Sequence, residues 1–188
     1  MIHLGSEIYK FTDTFPYCDL FTNHTSSERV NIFDVNKNLF YKFVDWFKLS
    51  IDNKMKDEFL SVYDINNNIG LSASKETIQE LKNYTETKWR DVYTLTYSPE
   101  SKNSGKQFIH FDFTEITCVI SLTNKNDYDG GKLIFPRQDI QVELELGECV
   151  VFPGSINYPH YVEEVTRGFR KVLVGQSLTL EQDHKINY

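Results

Sequence analysis

Hydrophobic positions along this chain follow two rhythms, and the change between them falls near residue 90. In NLFYKFVDWFKLSI, Phe40, Phe43, Val44 and Phe47 recur at i, i+3, i+4 and i+7, the spacing of one helical face turned to a core. A second helix is predicted after Ser74, a residue suited to the N-cap, with Glu76 in the first turn and Ile78, Leu81 and Trp89 on one side. The aromatic residues of both helices read as core packing.

From Asp91 onward the period shortens to that of strands. The runs DVYTLTY, QFIHFDF, TCVISLT, GKLIF, IQVELEL, CVVFP, NYPHYVEEV and RKVLVGQSL are rich in β-branched and aromatic residues, and turn-forming stretches such as SPESKNSG, NKNDYDGG, PRQD, LGE and PGS separate them. Eight short strands in succession predict an antiparallel sandwich or barrel of the jelly-roll type, with the N-terminal helices on its outside: an α+β chain. No repeat, low-complexity tract or Pro/Gly/Ser-rich linker divides the sequence, so one domain over residues 1–188 is expected, with helical support over 1–90 and the β core over 91–180.

Composition narrows the function classes. At 188 residues the chain is long enough for a sizeable core. A net charge of -7 and a pI near 5.2 supply no broad basic face for phosphate backbones, which disfavours nucleic-acid binding. Cys18, Cys118 and Cys149 are odd in number and lack CxxC spacing, so they read as buried thiols of a reducing, cytoplasmic compartment. No apolar run approaches the ~20 residues of a membrane span, and MIHLGSEIYKF has no secretory character.

Against that background QFIHFDF stands out. Side chains at i and i+2 of a strand share a face, so His110 and Asp112 are expected together, with Ile109, Phe111 and Phe113 opposite. Two ionisable groups in an apolar run are costly unless they hydrogen-bond or hold a cation. His160, fifty residues later in NYPHYVEEV, is a third candidate; two histidines and one carboxylate form the facial set that suits non-haem Fe(II), and zinc is the other metal weighed. His3, His24 and His184 read as surface residues. Arg170, ten positions past His160, could hold a carboxylate bidentately, with Arg167 and Lys171 as competitors for the role.

In this region the sequence resembles the Fe(II)- and 2-oxoglutarate-dependent dioxygenases, in their prolyl-4-hydroxylase-like branch. The resemblance covers residues 91 to 179 and rests on HFD, DYDGGKLIFP and VELELGECVVFPGSINYPHYVEEVTRGFR, with QS following. It implies a double-stranded β-helix (jelly roll), with His110, Asp112 and His160 as iron ligands and Arg170 as the partner of the distal carboxylate of 2-oxoglutarate. It also implies Fe(II), 2-oxoglutarate and O₂ as the reacting set, with ascorbate as a further reductant. Tyr97 resembles a tyrosine that lines the cosubstrate pocket, and Ser121 stands where relatives often carry a tyrosine that reaches the cosubstrate. Relatives often place a tryptophan after the basic residue, where this chain has VLVGQS. The implied reaction is hydroxylation of an unactivated C–H bond, first of all of a prolyl residue in a peptide or protein, with a free amino acid or other small molecule as the alternative. Residues 98 to 109 and the helical half are expected to form the lid or groove. A metal enzyme that uses no 2-oxoglutarate and a non-catalytic jelly-roll binding module are the other two readings.

Gly130, Gly131 and Gly147 are expected at turns, and Pro136 and Pro153 at strand ends. Glu115, Lys125 and Asp127 are expected on a solvated rim.

Overall fold

The computed structural model describes residues 1–12, 14–22, 29–55, 89–101 and 105–177. The strands are β1 (Ile2–Gly5), β2 (Ile8–Phe11), β3 (Arg29–Asn31), β4 (Trp89–Tyr97), β5 (Gln107–His110), β6 (Thr114–Ser121), β7 (Tyr128–Gly130), β8 (Leu133–Phe135), β9 (Ile140–Val142), β10 (Cys149–Gly154), β11 (His160–Val162), β12 (Val165–Gly168) and β13 (Arg170–Ser177). The major sheet runs β1-β2-β10-β6-β13-β4-β3; the minor sheet runs β5-β11-β8-β9; β12 and β7 form a separate pair, and every pairing is antiparallel.

Strand periodicity sorts the core into two layers. On β13, Val172 and Val174 join a cluster with Leu133, Phe135, Val142 and Val162 of the minor sheet, while Leu173 turns the other way. On β6 and β10, Val119, Val150 and Phe152 face the minor sheet, and Cys118, Ile120, Cys149 and Val151 face outward. The outward cluster is shared with α3 (Lys37–Phe47), whose Leu39, Phe43, Trp46 and Phe47 are buried. The buried stripe is therefore rotated from the expected one: Phe43 and Phe47 lie at its centre, while Phe40 and Val44 sit at its margin. Asn36 caps the helix, its side chain accepting from the backbone N–H groups of Asn38 and Leu39. Gly175 makes this approach possible, since a Cβ there would stand 2.5 Å from the Phe43 ring and 2.7 Å from Trp89.

The N-terminal part departs from the helical expectation. Besides α3 and the π-helical segment that continues it (Lys48–Asp52), its described helices are the short α1 (Cys18–Thr22) and α2 (Ile32–Val35), and β1, β2 and β3 occupy both edges of the major sheet. At four residues or fewer these strands are too short to show a period, although Ile8 and Phe11 do point to opposite clusters. Trp89, expected on a helix face, opens β4 and packs on Phe43 and Phe47; the rest of the predicted second helix lies outside the described residues. Pro153 does not end its strand. It sits within β10 where the register with β6 shifts, the kind of irregularity that tolerates a residue without an N–H. Pro136 directly follows β8 as expected. Gly130, Gly131 and Gly147 take positive φ, and a Cβ on Gly130 would collide with the carbonyl of Glu164. Among the described residues no helix is long and apolar enough to cross a membrane.

Candidate active site

The strand carrying the histidine is shorter than its apolar pattern suggests. β5 ends at His110 and Asp112 belongs to the turn into β6, where Phe113 adopts φ +53°. The apolar neighbours are not core residues either, because β5 is an edge strand: Phe108, Ile109 and Phe113 are 68, 60 and 69% exposed. The two acidic–imidazole partners thus meet through a turn instead of through strand alternation.

His160 reaches them across the minor sheet, where it is the register partner of His110. The two imidazole centroids are 4.4 Å apart, and His160 packs against Phe152 at 4.8 Å and Phe135 at 5.5 Å. One ligating atom from each of His110, Asp112 and His160 lies within 4.8 Å of the others. Nε2 of His110 is 3.6 Å from Oδ1 of Asp112, and Nε2 of His160 is 3.5 Å from Oδ2.

The surrounding hydrogen bonds fix which nitrogen is available. Nδ1 of His110 lies 2.8 Å from the carbonyl of Phe108, and Nδ1 of His160 lies 3.0 Å from that of Tyr158. A carbonyl only accepts, so both Nδ1 atoms carry a hydrogen, and in the neutral ring that a metal requires the free lone pair is that of Nε2, on the side of Asp112. Asp112 is held in turn: Thr117 donates to Oδ2 at 2.7 Å and Gln176 donates to Oδ1 at 3.0 Å. Gln176 itself accepts from Arg90 at 2.9 Å.

Electrostatics agrees with this geometry. Burial pushes the Asp112 carboxyl up, but the neighbouring His110 and His160 rings, in their protonated forms, and the hydrogen bond from Thr117 outweigh it and hold it below the usual range. Burial lowers His160, whereas the Asp112 carboxylate beside it favours the protonated ring of His110 and raises it above its ordinary value. Two imidazole nitrogens and one carboxylate, each oriented by a partner of its own, fit a divalent metal of the borderline N/O type.

These three residues line a cavity that continues to Arg170, with Tyr93, Tyr97, Gln107, Thr117 and Val119 among its walls. Arg170 is 4% exposed; its guanidinium lies over the Tyr97 ring, 5.4 Å from its centroid, and its charge acts on the phenols of Tyr97 and Tyr128, opposing the rise that burial gives them. Among the described residues no carboxylate pairs with it. A buried guanidinium without a carboxylate partner is poorly compensated and suited to an anion. Its competitors are engaged elsewhere: Arg167 is exposed and bidentate on Asp129, and Lys171, one residue out of phase, donates to the carbonyl of Thr22.

Ser121 is buried, but its hydroxyl donates to the carbonyl of Thr123 at 3.0 Å and it is not part of the cavity wall. His3 is exposed and stacks on Tyr9, while His24 and His184 lie outside the described residues. Glu115 and Asp127 are exposed and Lys125 is half-buried. Sequence reasoning missed Gln107, Thr117 and Gln176. The one available signal was their parity, since Thr117 shares a face with Val119 on β6, and Gln176 shares one with Arg170 and Val172 on β13.

No family model matches the chain. It is 42% identical over 94 residues to a PKHD-type hydroxylase of Prochlorococcus marinus strain MIT 9301, covering 46% of this chain and 41% of that protein. A PKHD-type hydroxylase of strain MIT 9312 is 41% identical over 63 residues, 32% of this chain and 28% of the relative. The matched segments thus span less than half the length of these relatives. In structure the chain is similar to the viral collagen prolyl hydroxylase of Paramecium bursaria Chlorella virus-1, solved as a 2-oxoglutarate complex, with a TM-score of 0.60 and 14% identity over 93% of this chain and 97% of that one. The shared fold is the double-stranded β-helix. The resemblance to 2-oxoglutarate oxygenases of the prolyl-hydroxylase type is therefore present both in sequence and in fold.

Proposed function

We propose that this protein is an Fe(II)- and 2-oxoglutarate-dependent oxygenase that hydroxylates an unactivated C–H bond, with a prolyl residue of a peptide or protein as its substrate. The observation that carries the reading is one cavity with two distinct ends: three convergent ligating atoms at His110, Asp112 and His160, and a buried guanidinium at Arg170 that no described carboxylate neutralises. The names of the sequence relatives and the viral prolyl hydroxylase fold support it.

In this reading Nε2 of each histidine and the Asp112 carboxylate hold the metal. Arg170 takes the distal carboxylate of the cosubstrate, with the Tyr97 ring beneath it. Iron and 2-oxoglutarate, when bound, supply the activation of O₂, so that one oxygen atom enters the substrate as hydroxyl and the other enters succinate, with loss of CO₂. The chain's own contribution is placement. The Phe108 and Tyr158 carbonyls keep both imidazoles in the ligating tautomer, and Thr117 and Gln176 fix the carboxylate. Phe135 and Phe152 keep water from the back of His160. Ser121, committed to Thr123, has a structural part, and ascorbate serves as reductant between turnovers. The chain works as one domain with its three cysteines free, in a reducing intracellular compartment.

The test is the anaerobic visible spectrum of the metal-free protein on adding Fe(II) and then 2-oxoglutarate, followed by succinate release with proline-containing peptides. The expected outcome is a charge-transfer band that needs both additions, and peptide-dependent succinate. Iron binding with no band on adding 2-oxoglutarate would refute the cosubstrate assignment; a band with no peptide-stimulated succinate would move the substrate to a free amino acid or other small molecule.

A further inference from the structure

The ligating nitrogen of His110 already has a protein partner. In the neutral ring that a metal requires, Nδ1 carries the hydrogen to the Phe108 carbonyl and Nε2 can only accept; the group 3.1 Å from it is the side-chain amide nitrogen of Gln107. This fixes the orientation of the carboxamide: its NH₂ faces His110 and its oxygen accepts from the Tyr97 hydroxyl at 2.8 Å. The Arg170 guanidinium lies over the Tyr97 ring, 5.4 Å from its centroid. A chain of hydrogen bonds, Tyr97 to Gln107 to His110, therefore leads from beside the Arg170 guanidinium to the metal end of the cavity, and each donor and acceptor role along it is determined by its neighbours.

We infer that Gln107 is a positioning residue that competes with the metal for His110. This rests on the metal-site reading above. One lone pair on Nε2 serves either the amide N–H or a cation, so metal binding must break the Gln107–His110 bond, and the amide then turns a free donor into the cavity it lines. Tyr97 holds the carboxamide oxygen in both states. Gln107 thus lowers metal affinity while keeping the imidazole shielded from other donors, and its removal strengthens binding instead of weakening it. A merely structural residue beside a metal site would have the opposite effect.

The experiment is a calorimetric titration of the purified chain with Mn(II), comparing wild type with Gln107→Leu, which preserves bulk without N–H or C=O groups, and Gln107→Ala, which keeps the measurement readable if leucine disturbs the packing. A net hydrogen bond of ordinary strength predicts that the variants bind Mn(II) roughly threefold to tenfold more tightly, with one ion per chain and an unchanged near-ultraviolet circular dichroism spectrum. Equal or weaker binding in folded variants overturns the inference while leaving the metal site intact. Failure of wild type and variants alike to bind Mn(II) overturns the metal-site reading and this inference with it.

Discussion

The side-chain amide of Gln176 donates a 3.0 Å hydrogen bond to Oδ1 of Asp112, joining residues 64 positions apart in the chain. Asp112 lies on a turn with no ladder to hold it, so β13 supplies through Gln176 the rigidity that β5 does not. Thr117 secures the other oxygen from β6. The carboxylate is therefore oriented by the two central strands of the major sheet, although its own backbone belongs to neither sheet.

Gln176→Leu should weaken Mn(II) binding by roughly tenfold to a hundredfold, as expected when an outer hydrogen bond to a ligating carboxylate is lost. The Arg90 guanidinium, which Gln176 also accepts from, is partly exposed and can turn to water. The variant should therefore stay folded, and calorimetric metal titration beside a thermal melt separates the two effects.

Arg170→Ala should leave Mn(II) affinity within about twofold of wild type and reduce 2-oxoglutarate affinity by about a hundredfold or more, as for loss of a buried charge-assisted pair. Arg170→Lys should recover little of it, because an ammonium cannot reproduce the planar fork. Cosubstrate titration in the presence of Mn(II) reads both.

Phe135→Ala should cost about 3–5 kcal/mol of stability, the usual penalty for emptying a fully buried phenylalanine site. Phe135 packs on Phe152 and on the imidazole of His160, so the same change should loosen that imidazole. Urea unfolding measures the first effect. Mn(II) titration of the folded fraction, expected to show weaker binding, measures the second.

Alkaline pH should act through Tyr97. Burial raises its hydroxyl from 10.0 to about 12, against the opposing charge of Arg170. A raised folded-state value means that the stabilisation is complete below pH 10 and is lost as the pH climbs from 10 toward 12, where the unfolded chain releases a proton that the fold retains. The urea midpoint should therefore fall over this window, and Tyr97→Phe should flatten the fall. An unchanged slope in the variant would show that other groups control it.

The β half was legible because β4, β6, β10 and β13 are long enough for period two to show, and because Gly and Pro punctuate the shorter runs between them. The grouping of His110, Asp112, His160 and Arg170 around one cavity was legible because HFD, the later histidine and the arginine ten positions past it lie on runs that read as strands. The geometry behind it was less so. Sequence alternation placed Asp112 on a strand, yet β5 stops at His110 and a positive-φ Phe113 makes the turn. Exposed Phe108 and Ile109 read as core because edge strands and central strands draw on the same residue types. The short strands β1 to β3 left no period to detect. Gln107, Thr117 and Gln176 stayed hidden because their importance comes from partners 3, 5 and 64 residues away, brought together only by sheet register.

β13 carries Arg170, Val172, Val174 and Gln176 on the face that looks into the cavity, clamped between β4 and β6 along its length. Because alternate residues face opposite ways, adding or deleting a single residue within this strand would carry either the arginine or the glutamine to the helix side, whatever the composition. Length changes in the connection between β4 and β5 would leave that phase untouched. Natural variants and designed chimaeras of this protein should therefore tolerate indels between residues 98 and 106 and reject them between 170 and 176, so that the strand acts as a fixed ruler between the two ends of the site.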